Sequence, residues 1–213
     1  MDYRSKLFSL SNQPLSHQLL VSLFKDYEQP NDKIYQLAKA GIIQSIKKGL
    51  YIVGPALNAN RTPEPFLLAN HILGPSYLSA ETALSYYGLI PERVYEIASM
   101  TTQAARKFNT PLGTFTYTRL PLPYYAFGIR SEKLAEDQYA MTASPEKALC
   151  DKIVTTSGLL FRSKKAATDF LIENMRMDEH LLKQLNFVEM TSWIKASPKK
   201  ESLLMVIKAL KAL

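Results

Sequence analysis

The stretch NDKIYQLAKAGIIQSIKKGLYIVG, residues 31–54, decides the expected fold of this chain. Its first part spaces Ile34 and Leu37 so that both lie on one face of a helix, and Gly41 then supplies a stop. The pattern predicts an amphipathic helix with Asn31 as its N-cap. Two runs rich in β-branched and aromatic residues follow and are joined by a Lys-Lys-Gly turn, so we expect a β-hairpin.

A second predicted helix precedes this stretch. Residues 15–27 place five apolar side chains on one helical stripe, namely Leu15, Leu19, Leu20, Leu23 and Phe24. The link EQPN to the next helix is short, which is typical of a helix-turn-helix. Residues 2–10 are a candidate for a further helix. With the hairpin, this layout predicts a winged helix-turn-helix that binds DNA, although helices followed by hairpins also occur in α+β domains without a nucleic-acid role.

Six side chains of this segment are the predicted DNA contacts: Lys33, Tyr35, Gln36, Lys39, Lys47 and Lys48. Gln36 and Lys39 are expected to reach base edges after the helix enters the major groove. Lys33 and Tyr35 are expected to contact phosphates of the DNA backbone. The two lysines at the hairpin tip are expected at the neighbouring backbone or minor groove. A basic tip is also common in solvated turns.

The basic charge of the chain is concentrated at its two ends. Residues 1–61 hold eight Lys/Arg and four Asp/Glu, and residues 162–213 hold ten and six. The intervening residues 62–161 hold eight and nine, so the formal net charge of +7 arises outside them. This distribution suits a protein that meets phosphate at both ends, because each neutralised phosphate releases counterions. A basic surface that merely keeps the protein soluble is the alternative.

The composition favours a cytoplasmic globular protein. No apolar run approaches the roughly 18 residues that cross a bilayer, and no charged stretch followed by an apolar one opens the chain, so we expect neither membrane association nor a signal peptide. One cysteine, Cys150, excludes an internal disulfide and agrees with a reducing compartment.

Composition changes at the Pro- and Asn-rich stretch 54–65, which predicts a domain boundary. We therefore expect a DNA-binding domain over 1–55 and a second domain over 62–213. The second domain is divided into a sheet-containing part, 62–157, and a helical tail, 163–213. The runs VYEIASMTT, GTFTYTRL, YAFGIR and QYAMTA predict a small, mostly antiparallel sheet, and SPEKALCDKIVTTSG predicts a well-capped helix. The expected fold class is α+β.

Three motifs carry a family resemblance. They are KGLY at 48–51, SAETAL at 79–84 followed by Gly88-Leu89, and PEKALCD at 145–151. Over about residues 30–160 the chain resembles the AbiEi-type antitoxins of bacterial type IV toxin–antitoxin and phage abortive-infection systems. The resemblance implies an N-terminal winged helix, an antitoxin domain, and repression through inverted repeats in the protein's own promoter. It also implies a nucleotidyltransferase toxin as functional partner, which the antitoxin need not contact.

Motifs for catalysis are weak, so we expect no enzyme activity, no cofactor and no metal. The three histidines are scattered, and neither GxxxxGK[ST] nor GxGxxG occurs. Cys150 is expected to pack as a small apolar residue. Glu146 and Asp151, with Lys147 and Lys152, faintly suggest a metal-dependent nuclease, but the two carboxylates lie about 140° apart around one helix. A plain winged-helix regulator, whose second domain senses a ligand or dimerises, is the other alternative.

Overall fold

The N-terminal part of the chain consists of short helices around a small antiparallel sheet. The computed structural model describes residues 2–213. Its first elements are α1 (Tyr3–Ser9), β1 (Leu15–Ser16), α2 (His17–Leu23), α3 (Pro30–Lys39), β2 (Ile43–Lys47) and β3 (Leu50–Val53). The strand order is β1-β3-β2, with the predicted hairpin forming the β2–β3 pair. Three helices thus pack against one side of a three-stranded sheet.

The ends of α3 confirm one prediction and correct another. Gly41 follows the helix with a φ of 68°, a left-handed conformation that glycine adopts without a side-chain clash. The N-cap is Gln29, not Asn31, because Pro30 already occupies the first turn, where its missing N–H leaves no helical hydrogen bond unmade.

The predicted helix over 15–27 is shorter than expected. Leu15 pairs with Tyr51 in the sheet, and Ser16 caps α2 by accepting a hydrogen bond from the Leu19 N–H. Leu15 therefore belongs to a strand and not to α2, although it continues the apolar spacing of that helix, because it pairs with a residue of β3.

The second half of the chain is built on a six-stranded sheet. Its elements are α4 (Pro65–Ile72), β4 (Ser76–Leu78), α5 (Ala80–Tyr86), β5 (Glu96–Thr101), β6 (Arg106–Thr110), β7 (Gly113–Arg119), β8 (Ile129–Ala135), β9 (Gln138–Ala143) and α6 (Pro145–Thr155). The strand order is β6-β7-β5-β4-β9-β8. The β5–β7 and β4–β9 pairs are parallel and the others are antiparallel. The fold is therefore α+β, with a larger and more mixed sheet than expected.

The run YAFGIR is not a continuous strand. Tyr124–Ala126 forms a 3-10 turn, and β8 begins only at Ile129. The turn is stabilised by tertiary contacts, because the Tyr124 side chain is buried and its carbonyl accepts a hydrogen bond from Lys147. The predicted strands within GTFTYTRL and QYAMTA are confirmed.

Helices make up the tail. They are α7 (Lys164–Asp169), a π-helical turn (Phe170–Asn174), α8 (Glu179–Lys183), α9 (Phe187–Trp193), a 3-10 turn (Ile194–Ala196) and α10 (Lys200–Leu210). None of the helices within residues 2–213 has the length and apolarity that a membrane span requires.

Three apolar clusters hold these elements together. One lies among α1–α3 and the inner face of the small sheet, and another joins one face of the large sheet to α5, α6 and the tail. The third cluster joins the opposite face of the large sheet to α4 and to Ile46, Leu50 and Ile52 of the hairpin. The β2–β3 hairpin is therefore buried on both faces. The predicted linker 54–65 connects two segments that share this third cluster.

Candidate nucleic-acid interface

The solvent face of α3 carries three of the predicted contact residues. Ile34 and Leu37 are buried against the other N-terminal helices, which turns Tyr35, Gln36 and Lys39 outward. Tyr35 is 70% exposed although it is a large aromatic residue. The face thus offers a phenol, an amide that both donates and accepts hydrogen bonds, and an ammonium group.

Lys33 is placed differently from these three. Its side chain is half-buried, and its Nζ lies 4.7 Å from the centre of the Tyr3 ring and 5.0 Å from that of Tyr27. Both distances are within the range of cation–π attraction. The ammonium group is therefore held on the flank of α3 that faces α1, beside the exposed face and not at its centre.

The hairpin tip contributes two lysines in different environments. Lys48 is exposed, whereas Lys47 is half-buried with its Nζ 5.9 Å from the centre of the Phe108 ring in β6. Gly49 completes the turn with a φ of 81°, and open space surrounds the position where a Cβ would be. The tip of the hairpin is thus positioned against the edge strand of the large sheet.

A second polar cluster lies inside the larger part of the molecule, and no sequence motif indicates it. Lys147 and Asp151 of α6 form an ion pair with 2.8 Å between Nζ and Oδ1, and neither side chain is exposed. The other carboxylate oxygen of Asp151 accepts hydrogen bonds from the Tyr77 hydroxyl at 2.9 Å and the Ser79 hydroxyl at 2.7 Å. Serine is a favoured N-cap residue and Ser79 lies at the N-cap position of α5, but its hydroxyl binds Asp151 and makes no capping hydrogen bond.

The buried lysine is also bound to the 3-10 turn. The Lys147 Nζ donates a hydrogen bond to the Tyr124 carbonyl at 3.0 Å and lies 3.3 Å from the centre of the Tyr124 ring. Burial lowers the pKa of Lys147, and the nearby Asp151 opposes that change. Burial, together with the Asp151 carboxylate, raises the pKa of Tyr77 and of Tyr124. The cluster has no exposed member, so it joins β4, α6 and the turn instead of offering a site for substrate.

Glu146 and Lys152, which belong to the nuclease alternative, are bound to partners outside the Lys147–Asp151 pair. Glu146 accepts a hydrogen bond from the Asn186 N–H at 2.9 Å, and Lys152 pairs with Glu81. Cys150 is buried, and burial raises the pKa of its thiol, so it packs as the small apolar residue expected from its position. Within residues 2–213, no three or more His, Cys, Asp or Glu side chains converge as metal ligands would.

Comparison with known proteins supports the fold alone. The structure is similar to the crystal structure of the RV2827C protein from Mycobacterium tuberculosis, with a TM-score of 0.61. The similarity covers 98% of this chain and 77% of that chain at 13% sequence identity. No family model and no curated protein sequence matches the chain.

Proposed function

We propose that residues 1–55 form a winged helix-turn-helix that binds double-stranded DNA. The supporting observation is the element order α1-β1-α2-α3-β2-β3 with strand order β1-β3-β2, which is typical of winged helices. In that arrangement α3 is the recognition helix and the β2–β3 hairpin is the wing. The outward side chains of α3 and the exposed Lys48 then meet the major groove and the neighbouring backbone, respectively.

The biological role that we propose is that of an antitoxin. Its basis is the resemblance of SAETAL and PEKALCD to the AbiEi-type antitoxins. In this role the protein represses its own operon through inverted repeats in the promoter. It also counteracts a nucleotidyltransferase toxin without needing to bind it, and it has no catalytic activity of its own.

The DNA proposal is tested by titrating a labelled promoter fragment with the full-length protein at several salt concentrations. We expect salt-dependent binding, because each phosphate contact contributes a slope of about −0.9 in log K against log salt. Gln36→Ala is expected to cost about 1–3 kcal/mol at the operator and little on unrelated DNA. Gln184→Ala is the matched control, since Gln184 is exposed after α8, in the helical tail. Absence of binding by the wild type would refute the proposal.

The antitoxin role is tested by co-expression with the product of a neighbouring nucleotidyltransferase gene. Deleting residues 1–54 is an unsuitable variant, because Ile46, Leu50 and Ile52 cover apolar side chains of the large sheet. The full-length Gln36→Ala, Lys39→Ala variant leaves that cluster intact. We expect it to lose repression of a promoter reporter and to keep protecting cells from the toxin. Growth arrest by the toxin in the presence of wild-type protein would contradict this role.

A cavity favours the second candidate, a regulator that senses a small molecule. It has a volume of about 480 Å³ and lies beside β5, with Ile90, Val94, Ala98 and Met175 among its apolar lining and Glu92 among its charged lining. Such a regulator is expected to change its operator affinity when a metabolite is added and to give no protection from a toxin.

A further inference from the structure

The large sheet places cations next to the proposed wing. The hairpin lies over this sheet through Ile46, Leu50 and Ile52, which share an apolar cluster with Phe115 and Tyr117 of β7. At the tip, Lys47 contacts the ring of Phe108 in β6, the edge strand of the sheet. The position of the wing relative to β6 is therefore determined by the apolar face that the hairpin packs on the large sheet and by the approach of Lys47 to Phe108. We expect DNA that binds the tip to lie close to this edge.

The two basic side chains at the start of β6 point in opposite directions. Successive residues of a strand alternate between faces, so Arg106 lies on the same face as Phe108, about 7 Å along the strand. Lys107 lies on the opposite face, where its Nζ is 2.6 Å from the Glu96 carboxylate. Arg106 is exposed and takes part in none of the ion pairs found within residues 2–213.

A second arginine lies beside it. Arg106 pairs with Tyr117 of β7, so Arg119, two residues further along β7, is its diagonal neighbour on the same face. Arg119 is also exposed and, among the described residues, forms no ion pair. The face of the sheet next to the wing thus presents two guanidinium groups without a carboxylate partner. A guanidinium group binds phosphate with two parallel hydrogen bonds.

We propose that Arg106 and Arg119 bind the DNA backbone that flanks the wing contact, so that the second domain forms part of the DNA-binding surface. This inference rests on the proposed DNA-binding function and assigns it two further residues. The partner is duplex DNA longer than the segment that α3 and the wing cover. The contacts are to phosphates, so they add affinity without adding sequence specificity.

The test compares full-length Arg106→Gln and Arg119→Gln with Lys107→Gln as the matched control. Each variant removes one positive charge from the same region, so long-range attraction to DNA falls equally in all three. Binding is measured from 0.05 to 0.3 M salt on two duplexes, one limited to the operator and one extended by about ten base pairs on each side. Thermal melting followed by circular dichroism establishes that each variant is folded.

We expect the wild type to bind the extended duplex more tightly than the short one. Arg106→Gln and Arg119→Gln should each reduce the salt slope on the extended duplex by about 0.9, a loss of about eightfold in affinity at 0.1 M salt. Lys107→Gln should change that slope much less, because it removes long-range attraction without removing a phosphate contact. Arg106→Lys should retain most of the slope, because the charge is retained.

Three results would decide against the proposal. Equal effects of Arg106→Gln and Lys107→Gln would show that only long-range charge matters. Equal wild-type affinity for both duplexes would show that the flanking backbone is not bound. Failure of the wild type to bind either duplex would instead refute the proposed function itself, so the two failures are distinguishable.

Discussion

Removing the negative charge of Asp151 is expected to destabilise the protein strongly. In Asp151→Asn, the ammonium group of Lys147 loses a partner at 2.8 Å and stays in a site with no exposure to solvent. The new amide still accepts hydrogen bonds from Tyr77 and Ser79, so the perturbation is mainly the loss of charge. Breaking a buried pair by removing one partner costs about 3–5 kcal/mol.

That magnitude is a large part of the stability of a domain, which is about 5–15 kcal/mol. For a chain of this length each kcal/mol lowers the melting temperature by roughly 2–4 °C, so we expect a decrease of about 6–20 °C. The measurement is thermal unfolding followed by fluorescence of Trp193, which is buried in the apolar cluster that also contains Tyr77 and Tyr124. The midpoint reports on the region of the mutation.

Two further variants distinguish the loss of the Lys147–Asp151 ion pair from general effects of substitutions in α6. The double variant Lys147→Met, Asp151→Asn is expected to lose less than the sum of the single variants, by about 1–3 kcal/mol, because neither charge is left unpaired. Lys152→Met is the control on the same helix, since its partner Glu81 is partly exposed and such pairs contribute at most about 1 kcal/mol. Additive single effects, or an unfolding midpoint of Asp151→Asn equal to that of the wild type, would refute the reasoning.

Two other perturbations probe the interior. Tyr77 and Tyr124 have pKa values raised by burial, so the unfolded chain releases their protons above about pH 10 while the folded chain retains them. The stabilisation from these two tyrosines is therefore fully present below pH 10, and the free energy of unfolding falls as the pH rises further, by about 1.4 kcal/mol per pH unit for each of them. Between pH 9 and 12 the melting temperature should fall less steeply for Tyr77→Phe than for the control Tyr95→Phe, whose side chain is exposed. In α10, Ile207→Asp places a charge at a buried position and is expected to cost about 3 kcal/mol or more, whereas Lys208→Glu on the exposed side should change stability little. Unchanged melting of Ile207→Asp would contradict the packing of this helix.

The first residue of α10 differs from the one that the local sequence predicts. In SPKKESLLMVIKALKAL, residues 197–213, Ser197 and Pro198 are a typical helix start, and the apolar spacing that follows predicts a buried stripe. The helix instead begins at Lys200, and the Ser197 hydroxyl accepts a hydrogen bond from the Lys199 N–H. The predicted apolar stripe is confirmed, because Leu203 and Ile207 are buried in the large cluster. Helical spacing thus identified the buried face more reliably than the capping rules identified the first residue, since several polar residues nearby can serve as a cap.

Among the predicted DNA contacts, too, helical spacing determined which side chains face outward but not how each one is packed. The periodicity of Ile34 and Leu37 was enough to turn Gln36 and Lys39 outward. The sequence alone did not indicate that Lys33 lies against two tyrosine rings. Those rings come from α1 and from the segment between α2 and α3, so their approach depends on how the helices pack.

The sequence by itself determined the features that depend on neighbours a few residues apart: the stop at Gly41, the hairpin turn at Gly49, the cap of α6 at Ser144, and the α+β class. Tertiary structure alone decided the pairs that link distant parts of the chain. Asp151 meets the hydroxyls of Tyr77 and Ser79 more than seventy residues away, and no spacing rule connects them. Capping and periodicity act within one or two turns, whereas a buried ion pair, or an arginine near the β2–β3 hairpin, depends on which strands become neighbours in the sheet.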